Sequence, residues 1–172
     1  PKMFVTCFYA VLDPQTGRVV YANAGHDVPY RWTAGGVVEM RARGMPLGLL
    51  PDMLYEEKEA TLGPGECLLL YSDGLAEAHN PQRKMFGFPR IQRLVGESPD
   101  RSELLAYLLD NLSDFTGPDW EQEDDVTLVL LRSVQGMPAH ISRNAQPEVL
   151  ARFELPSQPG SEREAMRLVA EA

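Results

Sequence analysis

The chain has 172 residues, 44% hydrophobic and 24% charged, the balance of an ordinary globular protein with length for one full core. Its formal net charge is -9, from 25 acidic against 16 basic residues, and without clustered Lys/Arg it lacks the electrostatic footprint of a nucleic-acid binder. No apolar run approaches the ~20 residues a membrane helix needs, and two cysteines with no CxxC pair argue against structural zinc.

The first half reads as strands. Phe4 to Leu12 is almost continuously apolar and rich in β-branched and aromatic residues, as expected of a strand covered on both faces. Cys7 lies in this run and Cys67 in a later one, and both read as small buried hydrophobes of a reducing, cytoplasmic compartment. Asp13-Pro14-Gln15-Thr16-Gly17 is turn chemistry, after which Arg18 to Ala24 returns as a second strand. Tyr30-Arg31-Trp32 and Val37 to Met40 flank Ala34-Gly35-Gly36 as a hairpin. Glu56 to Leu62 and Glu66 to Ser72 bracket Gly63-Pro64-Gly65 as another. Hairpins at this spacing predict an antiparallel sheet or sandwich.

Helices follow. Pro89 is tolerated at a first helical position, and Phe88, Ile91, Leu94 and Val95 make a one-sided stripe ended by Gly96. From about Pro99 to Phe115, Leu104, Leu105, Leu108, Leu109 and Leu112 form a second stripe, stopped by Gly117-Pro118. Val126 to Leu131 is a final strand. Strands first and helices after them predict an α+β fold with helices packed on a sheet face. Residues 133–148 have neither period and read as a linker. Beyond it, Val149 to Leu155 reads as a strand and Ser161 with Glu164 as a capping box opening a helix. One strand and one helix cannot bury a core, so residues 149–172 are expected to begin a second domain.

Two acidic clusters sit where a strand meets a turn. Tyr71-Ser72-Asp73-Gly74 closes the apolar strand around Cys67 to Leu70, and the glycine lets the backbone turn so that a carboxylate stands at the sheet edge. Glu123-Asp124-Asp125-Val126-Thr127 precedes the last strand. Adjacent carboxylates repel one another unless a cation intervenes, and oxygen-only donors select hard ions. On spacing alone a plain turn, a solvated acidic face and a metal site all stay open.

Six segments in order then resemble the metal-dependent (PPM-type) Ser/Thr protein phosphatases, in the RsbU and stage II sporulation protein E branch. They are MFVTCFYAVLD at 3–13, GRVVYANAGHDVPY at 17–30, MPLGLL at 45–50, GPGECLLLYSDGLAEAHN at 63–80, FGFPRI at 86–91 and EDDVTLVLL at 123–131, covering about residues 1–132. The resemblance implies a β-sandwich flanked by helices, with Asp73 and Asp124 as ligands of two Mn²⁺ or Mg²⁺ ions. A water between those ions would attack a phosphoserine or phosphothreonine. Asp125 would orient Asp124 or bind water, Gly74 would serve backbone geometry, and His26 of Asn23-Ala24-Gly25-His26 would line the site. His79 and His140 read as surface residues, and Met45-Pro46-Leu47-Gly48 as a structural turn.

The family's first metal motif, whose Asp bridges both ions, precedes the segment with which this chain starts. Residues 1–132 are therefore expected to be the later part of a phosphatase domain and inactive alone, with open sheet edges that make a homodimer a candidate assembly. Residues 151–172 resemble the opening strand and helix of RsbW-like anti-sigma-factor kinases, whose ATP-binding motifs would lie further on. By family analogy the partner is a phosphorylated STAS-type anti-sigma-factor antagonist. Two rival functions remain: a non-catalytic phosphatase-like interaction module, and the regulatory part of an anti-sigma-factor kinase.

Overall fold

The computed structural model describes residues 3–118 and 124–133. The chain divides into two units, Pro1–Gly136 and Met137–Ala172, and the architecture below belongs to the first. The linker, the terminal strand and helix, and His140 lie outside the described residues.

Among the described residues, seven strands make two antiparallel sheets. β1 (Cys7–Leu12), β2 (Arg18–Ala24) and β5 (Lys58–Thr61) form one, in the order β1-β2-β5. β3 (Tyr30–Thr33), β4 (Gly36–Glu39), β6 (Cys67–Tyr71) and β7 (Leu128–Arg132) form the other, in the order β4-β3-β6-β7. The described residues also form three helices: α1 (Asp73–Glu77), α2 (Phe88–Glu97) and α3 (Leu104–Thr116).

The β1–β2 turn forms because Asp13 organises it. Its carboxylate accepts from the Gln15 amide at 2.9 Å and the Thr16 hydroxyl at 2.7 Å. Gly17 closes the turn at φ +71°, and a Cβ there would stand 2.4 Å from the Leu62 carbonyl oxygen. The same glycine thus reverses the chain and lets the end of β5 dock, with the Leu62 amide donating to Gly17 O at 2.9 Å.

Period-two alternation divides β6 between two cores. Leu68 packs with Val19, Tyr21, Met40 and Leu62 between the sheets. Cys67, Leu69 and Tyr71 face the other way, against Ile91 and Leu94 of α2 and Leu104, Leu108 and Leu112 of α3. Both faces of β6 are covered, which explains its unbroken apolar run. The order of layers is sheet, sheet, helices, as an α+β fold requires.

Several expectations need correction. The segments on either side of Gly63-Pro64-Gly65 do not pair as a hairpin: β5 pairs with β2, and β6 pairs with β3 and β7. The glycine-proline turn carries the chain from one sheet to the other. It is pinned by Glu66, whose carboxylate accepts from the Gly63 amide at 2.9 Å and from Arg31 Nε at 3.1 Å. Nor is β1 covered on both faces. Tyr9 is 64% exposed and Val11 52%, because β1 is an edge strand and no described residue packs over its outer side.

The third helix begins at Leu104 rather than near Pro99. Asp100 holds the preceding turn by accepting from both the amide and the hydroxyl of Ser102, bonds that compete with helix formation. His79 is half-buried, not a surface residue, in an isolated bridge to Met85.

Candidate metal centre

The centre is built on the β6–β7 pair. Tyr71 of β6 lies opposite Leu128 of β7, so the chain leaving β6 runs beside the chain entering β7. Ser72 extends the pairing beyond the regular strands. Its amide donates to Thr127 O at 3.0 Å, its hydroxyl donates to Asp125 O at 2.9 Å, and its oxygen accepts from the Thr127 amide at 2.9 Å. These bonds join positions 53 and 55 apart in sequence and draw the two acidic clusters together.

Gly74 completes the junction. A Cβ at this position would lie 2.5 Å from the Asp125 carbonyl oxygen and 3.3 Å from that of Asp124. Only a residue without a side chain lets α1 start so close to the second cluster. The expected sharp turn after Asp73 is in fact the opening of this short helix.

Asp73 and Asp124 are presented alike. Asp73 Oδ1 accepts from the Gly74 amide at 3.0 Å, and Asp124 Oδ1 accepts from the Asp125 amide at 2.8 Å. Each carboxylate is steadied by the next residue's backbone while remaining exposed. Asp125 thus meets Asp124 through its amide and Ser72 through its carbonyl.

His26 arrives from the opposite sheet. At the end of β2, the buried Asn23 side chain donates to His26 O at 2.9 Å and accepts from the His26 amide at 2.8 Å. Gly25, at φ +71°, leaves room for Pro46, whose ring would stand 2.7 Å from a Cβ there. The Met45–Gly48 turn therefore braces this loop, and the Leu47 amide and carbonyl pair with those of Val5. His26 Nδ1 lies 3.2 Å from Thr6 Oγ1. The histidine lines two cavities, one of about 380 Å³ that also touches Ser72 and Thr127, and one of about 240 Å³.

Three participants were not marked by the sequence. Ser72 and Thr127 flank the carboxylates and stitch the clusters, a role visible only once strand pairing is known. Asp27 follows His26 into the smaller cavity, and its Oδ2 is buried without a hydrogen-bond partner. Burial pushes this carboxyl above its ordinary range; the nearby His26 pulls it down, and the negative charges of Asp73 and Glu77 push it up again.

The donors suit a hard divalent cation. They are carboxylate oxygens, exposed, held by backbone amides and gathered where a side chain on Gly74 would intrude. Among the described residues, however, no group of three or more His, Cys, Asp or Glu is arranged to hold an ion. Asp73 and Asp124 fit as two contributors to Mn²⁺ or Mg²⁺ coordination, not as a complete donor set.

Paired antiparallel sheets with helices against one of them, and carboxylates at the strand ends, form the fold of a PP2C-type phosphatase domain. The phosphatase domain of SpoIIE from Bacillus subtilis, in a manganese-presoaked crystal, matches at a TM-score of 0.58 and 18% identity, over 77% of this chain and 58% of that one. The structure of the RsbU and RsbW domains of Rv1364c from Mycobacterium tuberculosis matches at a TM-score of 0.62 and 26% identity, over 77% and 37%.

The chain belongs to the stage II sporulation protein E (SpoIIE) family, whose model matches residues 1–134. Phosphoserine phosphatase RsbU of Bacillus subtilis (strain 168) is 29% identical over 135 residues, 76% of this chain and 39% of that protein. The chain spans between 20% and 39% of the length of the curated relatives it matches. Among the described residues no helix is long and apolar enough to cross a membrane.

Proposed function

We propose that residues 1–132 are the later part of a metal-dependent protein-serine/threonine phosphatase domain, with Asp73 and Asp124 among its metal ligands. The observation that carries this reading is the junction itself. Gly74 packs on the Asp124–Asp125 backbone while Ser72 bonds Asp125 and Thr127, so two acidic motifs distant in sequence share one strand end. A solvated acidic turn has no need of that construction.

Two Mn²⁺ or Mg²⁺ ions, when bound, supply a water of lowered pKa and neutralise charge developing on the phosphoryl oxygens. The chain's own residues hold that chemistry in place. Asp73 and Asp124 contribute anionic oxygen, the amides of Gly74 and Asp125 fix their orientation, and the Ser72–Thr127 bonds keep the two strand ends in register. His26 borders the site from the other sheet. An acidic protein meeting a phosphoprotein needs such cations to overcome repulsion.

The substrate class is proposed by family analogy to be a phosphorylated STAS-type anti-sigma-factor antagonist in a cytoplasmic partner-switching pathway; RsbU, similar over most of this chain, is named a phosphoserine phosphatase. Residues 133–148 are proposed as a linker, and residues 149–172 as the start of an RsbW-like ATPase domain. The presence of RsbU and RsbW domains in one mycobacterial protein supports that reading.

The test is metal-dependent hydrolysis of a small aryl phosphate by the full-length protein, as wild type, Asp73→Ala and Asp124→Ala. Each substitution is expected to lower the Mn²⁺-dependent rate by about a hundredfold or more. Rates indifferent to both would overturn the ligand assignment. Absence of any activity would favour a non-catalytic interaction module. The 172-residue chain alone is expected to show no measurable dephosphorylation, since among its described residues no group of three or more His, Cys, Asp or Glu is arranged to hold an ion.

A further inference from the structure

The smaller cavity beside the centre has a composition that the phosphatase reading leaves unused. Its walls include the aromatic rings of Tyr30, Tyr71 and Phe88, and its polar groups include Asp27, Glu39 and Arg41. At about 240 Å³ it is below the ~300–1,000 Å³ of drug-sized sites and of the scale of one side chain.

The aromatic wall is fixed and its polar tips are spent. Tyr30 and Tyr71 stack with centroids 5.7 Å apart. The Tyr71 hydroxyl donates to Val28 O at 3.1 Å, and the Tyr30 hydroxyl donates to Phe88 O at 3.4 Å. What remains is charge. Glu39 pairs with Arg41, whose side chain is 70% exposed. Asp27 has no guanidinium partner of this kind: its Oδ2 is buried and makes no hydrogen bond, and of the cavity's other groups only the His26 ring favours its charge. Two carboxylates against one guanidinium leave the cavity one positive charge short of balance. The neighbouring negative charge of Glu77 deepens the deficit. A buried carboxylate left this way is costly unless a cation approaches it.

We propose that this cavity is a substrate subsite for one cationic side chain, lysine or arginine, that neighbours the phosphorylated residue. The apolar stem of such a side chain would lie along Tyr30, Tyr71 and Phe88, and its head would stand between Asp27 and Glu39. The inference rests on the phosphatase reading, because the location supplies the logic. Tyr71 ends β6 two residues before Asp73, and His26 borders both the cavity and the slot beside Ser72. A phosphoryl group at Asp73 and Asp124 leaves an adjacent side chain over the cavity.

The experiment uses the full-length protein and a set of short phosphoserine peptides. Each carries a single lysine at one of the three positions before or after the phosphoserine, paired with a norleucine version of equal length. Binding is read by fluorescence anisotropy, and kcat/KM is read with Mn²⁺. At one position lysine is expected to exceed norleucine by about tenfold in affinity, the range of a hydrogen bond to a charged group. That ratio should fall towards one in Asp27→Asn and in Glu39→Gln.

Using the ratio within each variant cancels any general loss of activity, and two separate variants guard against one that fails to fold. Equal binding of lysine and norleucine at every position overturns the subsite. So does a preference that survives in the double variant. If the aryl phosphate is not hydrolysed but the anisotropy ratio appears and responds to both variants, the phosphatase reading fails and the cationic subsite stands.

Discussion

The two sheets of this unit are built on the same antiparallel plan yet hold their strands differently. The sheet containing β6 is covered on one side by α2 and α3 and on the other by its partner sheet, with Leu68 and Leu69 both fully buried. The sheet containing β1 shares the inter-sheet core but exposes Tyr9, Val11 and Leu12 along its edge strand. Stability is therefore concentrated in the helix-backed sheet, and the carboxylates stand at its strand ends. A rigid support under these carboxylates is what the proposed metal site requires.

The comparison breaks if the two sheets respond equally to truncation. Leu69→Ala should lower stability by about 2–5 kcal/mol in urea unfolding, whereas Val11→Thr should stay within about 0.5 kcal/mol. A smaller effect sharpens the role of the junction. Gly74→Ala forces a methyl against the Asp125 carbonyl and should cost about 1–3 kcal/mol, together with a marked loss of Mn²⁺ affinity by calorimetry. Gly63→Ala, whose added methyl meets only ordinary contacts near 3.5 Å, should do neither.

Smaller again is the effect of Asp27. Burial raises its carboxyl above the ordinary value of 3.8, so the folded chain holds this proton more tightly than the unfolded chain does. Its ionisation thus opposes folding; the penalty is absent below the ordinary range and grows as pH rises through the folded value. Asp27→Asn should accordingly raise Tm at pH 7 and lose that advantage near pH 4, as read by thermal unfolding at both. Such a gain at the expense of ligand preference is the usual trade at a functional pocket. The least effect is expected from Arg18→Gln: its pair with Glu59 is more than half exposed on both sides, and Tm should not move measurably.

Much of this was legible in the residues. The turn at Asp13 to Gly17, the hairpin around Gly35 and the stripes of α2 and α3 follow from local chemistry and period. Asp73 and Asp124 could be singled out because each ends or opens an apolar strand. The crossover at Gly63-Pro64-Gly65 was not legible, since a glycine-rich turn between two strand-like runs looks the same whether they pair or part. What decided it was the choice of partners: β6 has β3 on one side and β7 on the other, and no edge is left for β5. The exposure of β1 escaped for a similar reason, because an apolar run reports its wish to be covered and not whether cover is supplied. Ser72, Thr127 and Asp27 escaped because their contacts are tertiary.

The Ser72–Asp125 bond has a consequence for how the protein comes into being. Its partners are 53 positions apart, and everything between them must be made before they can meet. During synthesis, β6 and α1 leave the ribosome with Asp73 already in place but with no companion. Only after α3 has emerged and β7 has paired with β6 do both carboxylates stand at one strand end. Up to that moment the nascent chain has only one half of the acidic junction. Afterwards, any ion bound there adds its binding free energy to the last strand's docking. The order of translation thereby delays the junction until the sheet that supports it is closed.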